Sequence, residues 1–342
     1  MRQLLIGDCH FGTSSNSVIW LENQLKFFNT QFTDILDNKN INRIVFMGDL
    51  FDIRYSINQQ IGLEAKKLFR KFSNKYPNKE FWFIAGNHDY YSPLEEFHSY
   101  NIYDLVFGPE FVEMNKNFRF IADYPYEDKN TGNLYLPWYY TENFQNFSDL
   151  MYSLDLKNIK NIFCHTDLAV WDYSRLSLLK GINIFSGHIH NRFFKPEFNL
   201  YNLGSMFAFN FNDVNQKKYC YILEDDKLVE EIENTTTPSF KRYFNEEIFD
   251  LTENDFENAY VQLCIFNTNI NKAKYIERIK DIKKNYADYN IKIQIIDSTL
   301  GETLEVTYFN SNIDKYIEDN IPEYLENKYV FIKDKIKNKE EN

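Results

Sequence analysis

Cysteine is scarce in this chain of 342 residues: Cys9, Cys164, Cys220 and Cys264 stand far apart and form no Cys-x-x-Cys pair. That spacing argues against a disulfide framework or a thiolate zinc site, and the thiols are expected to be reduced. Long apolar runs are missing too. Nothing approaches the ~18 consecutive apolar residues of a membrane span, so no membrane partner is expected. The opening Met-Arg-Gln-Leu-Leu-Ile-Gly-Asp is too short an apolar stretch for a secretory leader and has no small-residue cleavage site. The expected compartment is the cytoplasm. Positive charge is also in deficit: 38 Lys and Arg face 50 Asp and Glu, a net charge of −12. Such a balance does not advertise nucleic-acid binding, although bound divalent metal would supply its own local positive field. What is plentiful is apolar and aromatic. With 44% apolar residues, 32 Phe and 25 Tyr, the chain can bury an aromatic-rich core, and its length suits about two domains at ~150 residues each.

Histidine, with six residues in all, is the informative one. Five sit in polar clusters that directly follow apolar runs. Gln3-Leu-Leu-Ile6 leads into Gly7-Asp8-Cys9-His10, and Arg43 to Met47 leads into Gly48-Asp49-Leu50-Phe51-Asp52. Phe81 to Ala85 leads into Gly86-Asn87-His88-Asp89, Asn161 to Cys164 into His165-Thr166-Asp167, and Ile182 to Phe185 into Ser186-Gly187-His188-Ile189-His190. Each apolar run reads as a buried strand. Residues 18–37 (Ile19, Leu21, Leu25, Phe28, Phe32, Ile35, Leu36) and 62–75 (Leu63, Ala65, Leu68, Phe69, Phe72) read as helices between the first three strands. Alternating strand and helix is the α/β pattern. In open α/β sheets ligand sites gather beyond the carboxyl ends of the strands, which is where all five clusters lie.

Beyond His190, Tyr201 to Ser205 and 218–223 read as strands closing the first domain, with Glu224-Asp-Asp-Lys227 as a hairpin turn. Asn234-Thr-Thr-Thr-Pro238 reads as its exit. Residues 260–266, 271–286 and 291–296 read as strand, helix, strand. The tail carries helical patterns at 312–320 and 323–337, separated by Pro322. There are no internal repeats.

Asp8, His10, Asp49, Asn87, His88, His165, His188 and His190 together offer carboxylate, imidazole and amide oxygen. That donor set suits Mn²⁺, Fe²⁺ or Zn²⁺. It is too large for one tetrahedral ion and fits two ions about 3.5–4 Å apart sharing a carboxylate. Asp8 and His10 are two apart and, on an extended segment, point to the same side.

The ordered series Gly-Asp-x-His, Gly-Asp-x-x-Asp, Gly-Asn-His-Asp, a lone His after a strand, and Gly-His-x-His across residues 7–190 resembles the calcineurin-like metallophosphoesterase superfamily. Within it the chain is similar to the SbcD-type DNA nuclease subunits of bacteria and phages. The features that carry this are Gly-Asp-Leu-Phe-Asp-x-Arg (48–54), Gly-Asn-His-Asp (86–89), Leu136-Pro137-Trp138, Tyr201-Asn-Leu-Gly-Ser205, and a strand-helix-strand region with a helical tail.

The resemblance implies a β-sandwich flanked by helices over 1–245, a small α+β capping domain over 246–310 and a helical tail over 311–342. It implies one ion on Asp8, His10, Asp49 and His190 and a second on Asp49, Asn87, His165 and His188, with Mn²⁺ as the expected metal. His88 is the implied catalytic residue, stabilising the transition state or protonating the leaving oxygen, while Asp52 and Asp89 orient the ligands. The implied partners are DNA, an SbcC-type coiled-coil ATPase held by the tail, and a second copy docked through 62–75 and 93–105; a phage-encoded chain would act in the host cytoplasm. Two other readings remain open: a phosphoesterase for nucleotides, cyclic nucleotides or phosphoproteins, and a non-catalytic scaffold. For the latter, lost ligands are expected, and none is missing.

Other features have plainer readings. His98 reads as a helix-face residue, Cys9 and Cys164 as small buried thiols, and Asp167 as either a ligand-orienting or a turn residue. The run Lys272, Lys274, Arg278, Lys280, Lys283 and Lys284 reads as a solvated helix face, with phosphate tracking as the alternative. Tyr139-Tyr140 suits core packing more than base stacking.

Overall fold

The computed structural model describes residues 1–52, 54, 56–91, 101–138, 154–167, 181–266, 272–286, 289–296 and 303–309. Tyr139-Tyr140, His98, most of 93–105 and both tail helices lie outside these residues. Contacts divide the chain into two compact units, Met1–Phe209 with Gln216–Pro238, and Asn210–Asn215 with Ser239 onward.

The first unit is a sandwich of two six-stranded sheets. In chain order its strands are β1 Arg2–Ile6, β2 Arg43–Phe46, β3 Glu80–Ile84, β4 Phe118–Ile121, β5 Tyr126–Asp128, β6 Asn133–Leu136, β7 Asn161–His165, β8 Asn183–Gly187, β9 Phe193–Lys195, β10 Leu200–Asn202, β11 Tyr219–Glu224 and β12 Lys227–Glu233. One sheet runs β12-β11-β1-β2-β3-β4 and the other β5-β6-β7-β8-β10-β9. The site-bearing strands are parallel: β1 to β2 to β3 in the first sheet and β7 to β8 in the second.

Side-chain alternation decides the layering. Leu4 and Ile6 face one core, whereas Leu5 between them faces another. Ile44 and Phe46 against Val45, and Phe81 and Phe83 against Trp82 and Ile84, repeat the pattern, as a period of two requires. The inner face of the first sheet meets Tyr135, Phe163, Phe185 and Leu203 of the second. Its outer face is covered by helices α1 Val18–Phe27, α2 Thr33–Asn38, α3 Gln59–Lys75, α4 Ile102–Val106 and α5 Gly108–Met114. The core is aromatic-rich as expected: Phe46 and Phe83 stack at 4.5 Å and Phe28 touches Phe32, Phe69 and Phe72.

Two local expectations change. The helix over 18–37 is broken by a π turn at Phe28–Phe32, a widening that lets Phe27, Phe28 and Phe32 all reach the core. Leu63, expected in the core, is 51% exposed. The helix opens earlier, capped by Asn58, whose side chain accepts from the Gln60 N–H at 2.8 Å. The buried stripe is then Ile61, Ala65, Leu68, Phe69 and Phe72, and Leu63, two residues from Ile61, falls on the opposite side.

The second unit is a four-stranded sheet ordered β13-β14-β15-β16 from Ser239–Phe244, Ala259–Phe266, Asn290–Ile296 and Thr303–Phe309. Helices α6 Glu253–Phe256 and α7 Lys272–Asn285 accompany it. Strand β13 pairs in parallel with β14, so the sequence-based division at 245 falls just after a strand of the second unit's sheet. The contact division falls at Pro238, inside the predicted exit segment. Tyr275, Ile279 and Ile282 of α7 are buried in this unit's core, while Lys274, Lys280, Lys283 and Lys284 are exposed. Arg278 is turned inward and donates to the Ile248 and Leu251 carbonyls. Among the described residues no helix is long and apolar enough to cross a membrane.

Candidate metal centre

Five strand ends deliver the site. Asp8 and His10 follow β1, Asp49 follows β2, Asn87 to Asp89 follow β3, His165 is the last residue of β7, and His188 and His190 follow β8. Asp8, Asp49 and His165 are almost wholly buried.

The loops are drawn together by backbone hydrogen bonds. The N–H groups of Cys9 and His10 both donate to the Asp49 carbonyl, at 3.1 and 2.9 Å. The His88 N–H donates to Asp49 Oδ1 at 2.8 Å, and the His188 N–H donates to the Asp8 carboxylate at 3.1 Å. Buried Gln24 of α1 donates to the Cys9 and His10 carbonyls. These ties hold His10, Asp49 and His188 at φ of 47°, 48° and 85°. Non-glycine residues in that region are strained, at roughly 1–3 kcal/mol each, and concentrate at functional sites. Asp8 and His10 do converge, but through this turn and not along an extended segment.

Two donor clusters result. Asp8, His10 and His190 have ligand atoms within 4.8 Å of one another, and so do Asp49, His165 and His188. Asn87 joins the second, its Oδ1 lying 3.1 Å from His165 Nε2 and 2.9 Å from His188 Nδ1. Asp49 Oδ2 stands 3.7 Å from His10 Nε2 and 3.4 Å from His165 Nε2, between the clusters. His165 Nδ1 lies 2.8 Å from the Met47 carbonyl oxygen. A carbonyl can only accept, so Nδ1 carries the proton and Nε2 presents a lone pair inward. The His10 and His190 Nε2 atoms face each other at 3.0 Å. Lone pairs converging in this way repel unless a cation or proton sits among them, and nitrogen and oxygen donors without sulfur suit a borderline or hard divalent ion. The residues therefore fit a divalent metal.

A third grouping, His10, Asp52 and His88, does different work. Asp52 Oδ1 approaches His10 Nδ1 at 3.2 Å, on the far side of the ring from Nε2, and steadies the ring. The Asp52 carbonyl oxygen accepts from His88 Nδ1. The rings of His88 and His10 meet edge to face at 5.0 Å.

Asp89 is fully buried and points away from the donors. It accepts from the Gly86 N–H at 2.8 Å, the Tyr103 hydroxyl at 2.9 Å, and, more weakly, the Leu50 and Phe51 N–H groups. It thus locks the β3 loop to the β2 loop and to α4. Burial, reinforced by the Asp49 charge, pushes its carboxyl up to about 7. For the metal-free chain, burial opposes charge on His165, but Asp49 and Asp8 outweigh it and raise the ring to about 9. His10 is raised in the same way against burial, chiefly by Asp52 and Asp49. His188 is lowered, by burial and by the neighbouring His165.

Over residues 1–266 the sequence matches the family model described as calcineurin-like phosphoesterase. This chain belongs to the calcineurin-like phosphoesterase family. Membership implies a metal-dependent hydrolase of phosphoester bonds, and the two donor clusters are candidate metal-ligand sets for it. No curated protein matches the chain.

Asp8, His10, Asp49, Asn87, His165, His188 and His190 are brought together; His88 lies at their edge, and Asp52 and Asp89 behind them. Sequence reasoning missed Gln24 and Tyr103 as site residues. Gln24 was detectable as a polar residue on the buried stripe of α1. The four cysteines are buried free thiols, and burial pushes Cys164 up to about 12, as suits packing and not chemistry.

Proposed function

We propose that this phosphoesterase is a two-metal DNA nuclease, with exonuclease and endonuclease activity, of the SbcD type. The observation that carries the reading is the donor arrangement around Asp49. One set is Asp8, His10, Asp49 and His190; the other is Asp49, Asn87, His165 and His188, with Asp49 shared. Each set mixes carboxylate or amide oxygen with imidazole, which suits Mn²⁺. When bound, the ions supply Lewis acidity toward a phosphodiester and make hydroxide available near neutral pH.

The protein's own residues do the rest. His165 and His10 hold their rings by contacts at Nδ1, leaving Nε2 for the ions. His88, anchored at Nδ1 by the Asp52 carbonyl, keeps its other nitrogen to protonate the leaving oxygen. The choice of DNA rests on the motif 48–54, on Gly-Asn-His-Asp and on the α+β unit that follows. The exposed lysines of α7 offer a phosphate-tracking face in an otherwise acidic chain. Leu63 on α3 and Leu105 on α4 are both exposed, which supports a homodimer through these helices. A coiled-coil ATPase of the SbcC type is the proposed partner of residues 311–342.

The net charge of −12 favours one rival, a phosphoesterase for nucleotides, cyclic nucleotides or phosphoproteins. Purified protein incubated with single- and double-stranded DNA under Mn²⁺, Mg²⁺ or no metal separates the two. Mn²⁺-dependent cleavage is expected. Hydrolysis of small phosphate esters with intact DNA, alone and with the ATPase, would overturn the nuclease reading.

A further inference from the structure

The residues after β10 form a saddle under one donor cluster. The Ser205 N–H donates to the His190 carbonyl at 3.1 Å, and the Met206 N–H donates to the Asp8 carbonyl at 3.0 Å. The fit leaves no room for extra side chains. A Cβ on Gly204 would stand 2.9 Å from the His190 carbonyl oxygen, and one on Gly7 would stand 1.8 Å from the Gly204 carbonyl oxygen. Further on, the Phe209 ring meets His10 edge to face at 5.2 Å and His190 at 5.4 Å, while the two imidazoles lie 4.9 Å apart. Residues 205–209 thus touch Asp8, His10 and His190, all three members of the first cluster. The outer torsion of a histidine is soft, so the aim of its Nε2 is set by what its ring touches. Phe209 is buried, whereas the His190 side chain is 37% exposed. The phenyl ring therefore gives a partly solvated imidazole a fixed wall.

Directly beyond Phe209 the chain passes to the other unit. Asn210–Asn215 belongs to the second unit, and Gln216–Pro238 returns to the first. Asn210 caps a single turn, Phe211–Asp213, its Oδ1 accepting from the Asn212 N–H at 2.8 Å. Phe211 packs edge to face on Phe240 of β13 at 4.9 Å. The Phe211 carbonyl accepts from Arg242 Nη2 at 3.1 Å, and the Asn215 N–H donates to the Phe240 carbonyl at 3.0 Å. Arg242 is itself braced across the sheet. Its Nε donates to Gln262 Oε1 of β14 at 2.7 Å, and Gln262 Nε2 donates to Gln294 Oε1 of β15 at 2.6 Å. We propose that residues 205–215 are a strap on the first donor cluster: Phe209 positions His10 and His190 for the cation, and the second unit's sheet, gripping Phe211, holds Phe209 in register. With only Asn210 between the two phenylalanines, and about 3.6 Å of reach per residue, a displaced Phe211 carries Phe209 with it. Phe209 is on this account a positioning residue, and metal affinity at one cluster depends on side chains of β13. The inference rests on the reading that Asp8, His10 and His190 hold a cation, and it does not depend on DNA as substrate.

The test is Mn²⁺ binding by the full-length protein, followed by calorimetry and by electron paramagnetic resonance of free Mn²⁺, with Tm measured beside it. His190→Ala and Asn87→Ala mark which binding step belongs to which cluster. Phe209→Leu keeps an apolar side chain but no ring edge. It should weaken the first-cluster step by roughly 10–100-fold, as for other residues that support ligands, and leave the second-cluster step unchanged. Phe211→Ala and Arg242→Met, both in the second unit, should weaken the same step by roughly 2–30-fold, the reach of residues that touch neither ligand. Phe211→Tyr, which keeps the ring, should bind as wild type does. Equal losses at both steps that track a lowered Tm would make the strap merely structural and overturn the proposal. An effect of Phe209→Leu with none from Phe211→Ala or Arg242→Met overturns the hold from the second unit. Unchanged Mn²⁺ binding in all of these variants overturns the positioning role. A wild type that binds no Mn²⁺ overturns the metal reading itself, whereas the expected Mn²⁺ steps beside uncut DNA would reject the nuclease reading alone.

Discussion

His10 and His190 present their Nε2 atoms to each other at 3.0 Å, across 180 residues of sequence. Two such nitrogens can share a proton or a cation, and the two compete. His165 makes the sign explicit. Its metal-free value of about 9 lies above the ordinary 6.5. Its protonation therefore stabilises the metal-free fold fully below pH 6.5, and that contribution is lost as pH rises through about 9. Metal needs the deprotonated ring. Mn²⁺ affinity, and the rise in Tm that Mn²⁺ produces, should both be larger at pH 8.5 than at pH 6.5. Calorimetry in buffers of different ionisation enthalpy should show protons released on loading. A flat profile without proton release would contradict this.

Asp89 should matter as a brace. Asp89→Ala leaves the Gly86 and Phe51 N–H groups without their acceptor, a loss of about 1–3 kcal/mol for a buried unsatisfied group, while the Tyr103 hydroxyl keeps the Ile84 carbonyl at 3.0 Å. Tyr103→Phe removes one donor and should cost about 0.5–1.5 kcal/mol. Denaturant unfolding measures both. Metal affinity should fall by roughly 10–100-fold in Asp89→Ala, as for other residues that support ligands. An Asp89→Ala protein as stable as wild type would remove the brace from the account.

Gly86 has no room for a methyl group. A Cβ there would stand 2.2 Å from Asp49 Oδ1 and 2.3 Å from the Asp49 backbone nitrogen. Gly86→Ala must push Asp49 out of place, and should lower Tm and weaken metal binding together, at about 1–3 kcal/mol of strain. Gly62→Ala is the matched control. Its Cβ would meet Ile57 at an ordinary 3.4 Å inside α3, and helix propensity favours alanine by up to about 1 kcal/mol. Equal behaviour of the two variants by thermal unfolding would refute the close-packing argument.

His88 separates chemistry from metal holding. Its side chain is tied to the Asp52 carbonyl, while its backbone N–H serves Asp49. His88→Ala keeps the second contact. Metal content by elemental analysis should survive, and turnover should fall by about 10²–10⁴, the range of a general acid. Lost metal with proportionally lost activity would make His88 a ligand instead.

The candidate donors were legible because each lies at or just beyond the end of its strand, and a strand end is a local property. Asp8, Asn87 and His165 need no knowledge of their partners to be recognised as a set. What stayed hidden depends on distant neighbours. The left-handed turn at His10 is imposed by the Asp49 carbonyl, 39 residues on. The place of β13 in the second unit's sheet depends on β14, and β16 finds its antiparallel register only against β15. Leu63 looked apolar enough for the core, but the helix phase was decided by the Asn58 cap.

The seven donors come from both faces of the sandwich: Asp8, His10, Asp49 and Asn87 from one sheet's loops, and His165, His188 and His190 from the other's. Each donor cluster draws on both. A cation held there works as a rivet through two plates. Any sliding of one plate over the other would unseat it, so the sandwich must travel through turnover as a single stiff body, and whatever admits or dismisses a substrate has to act from its rim.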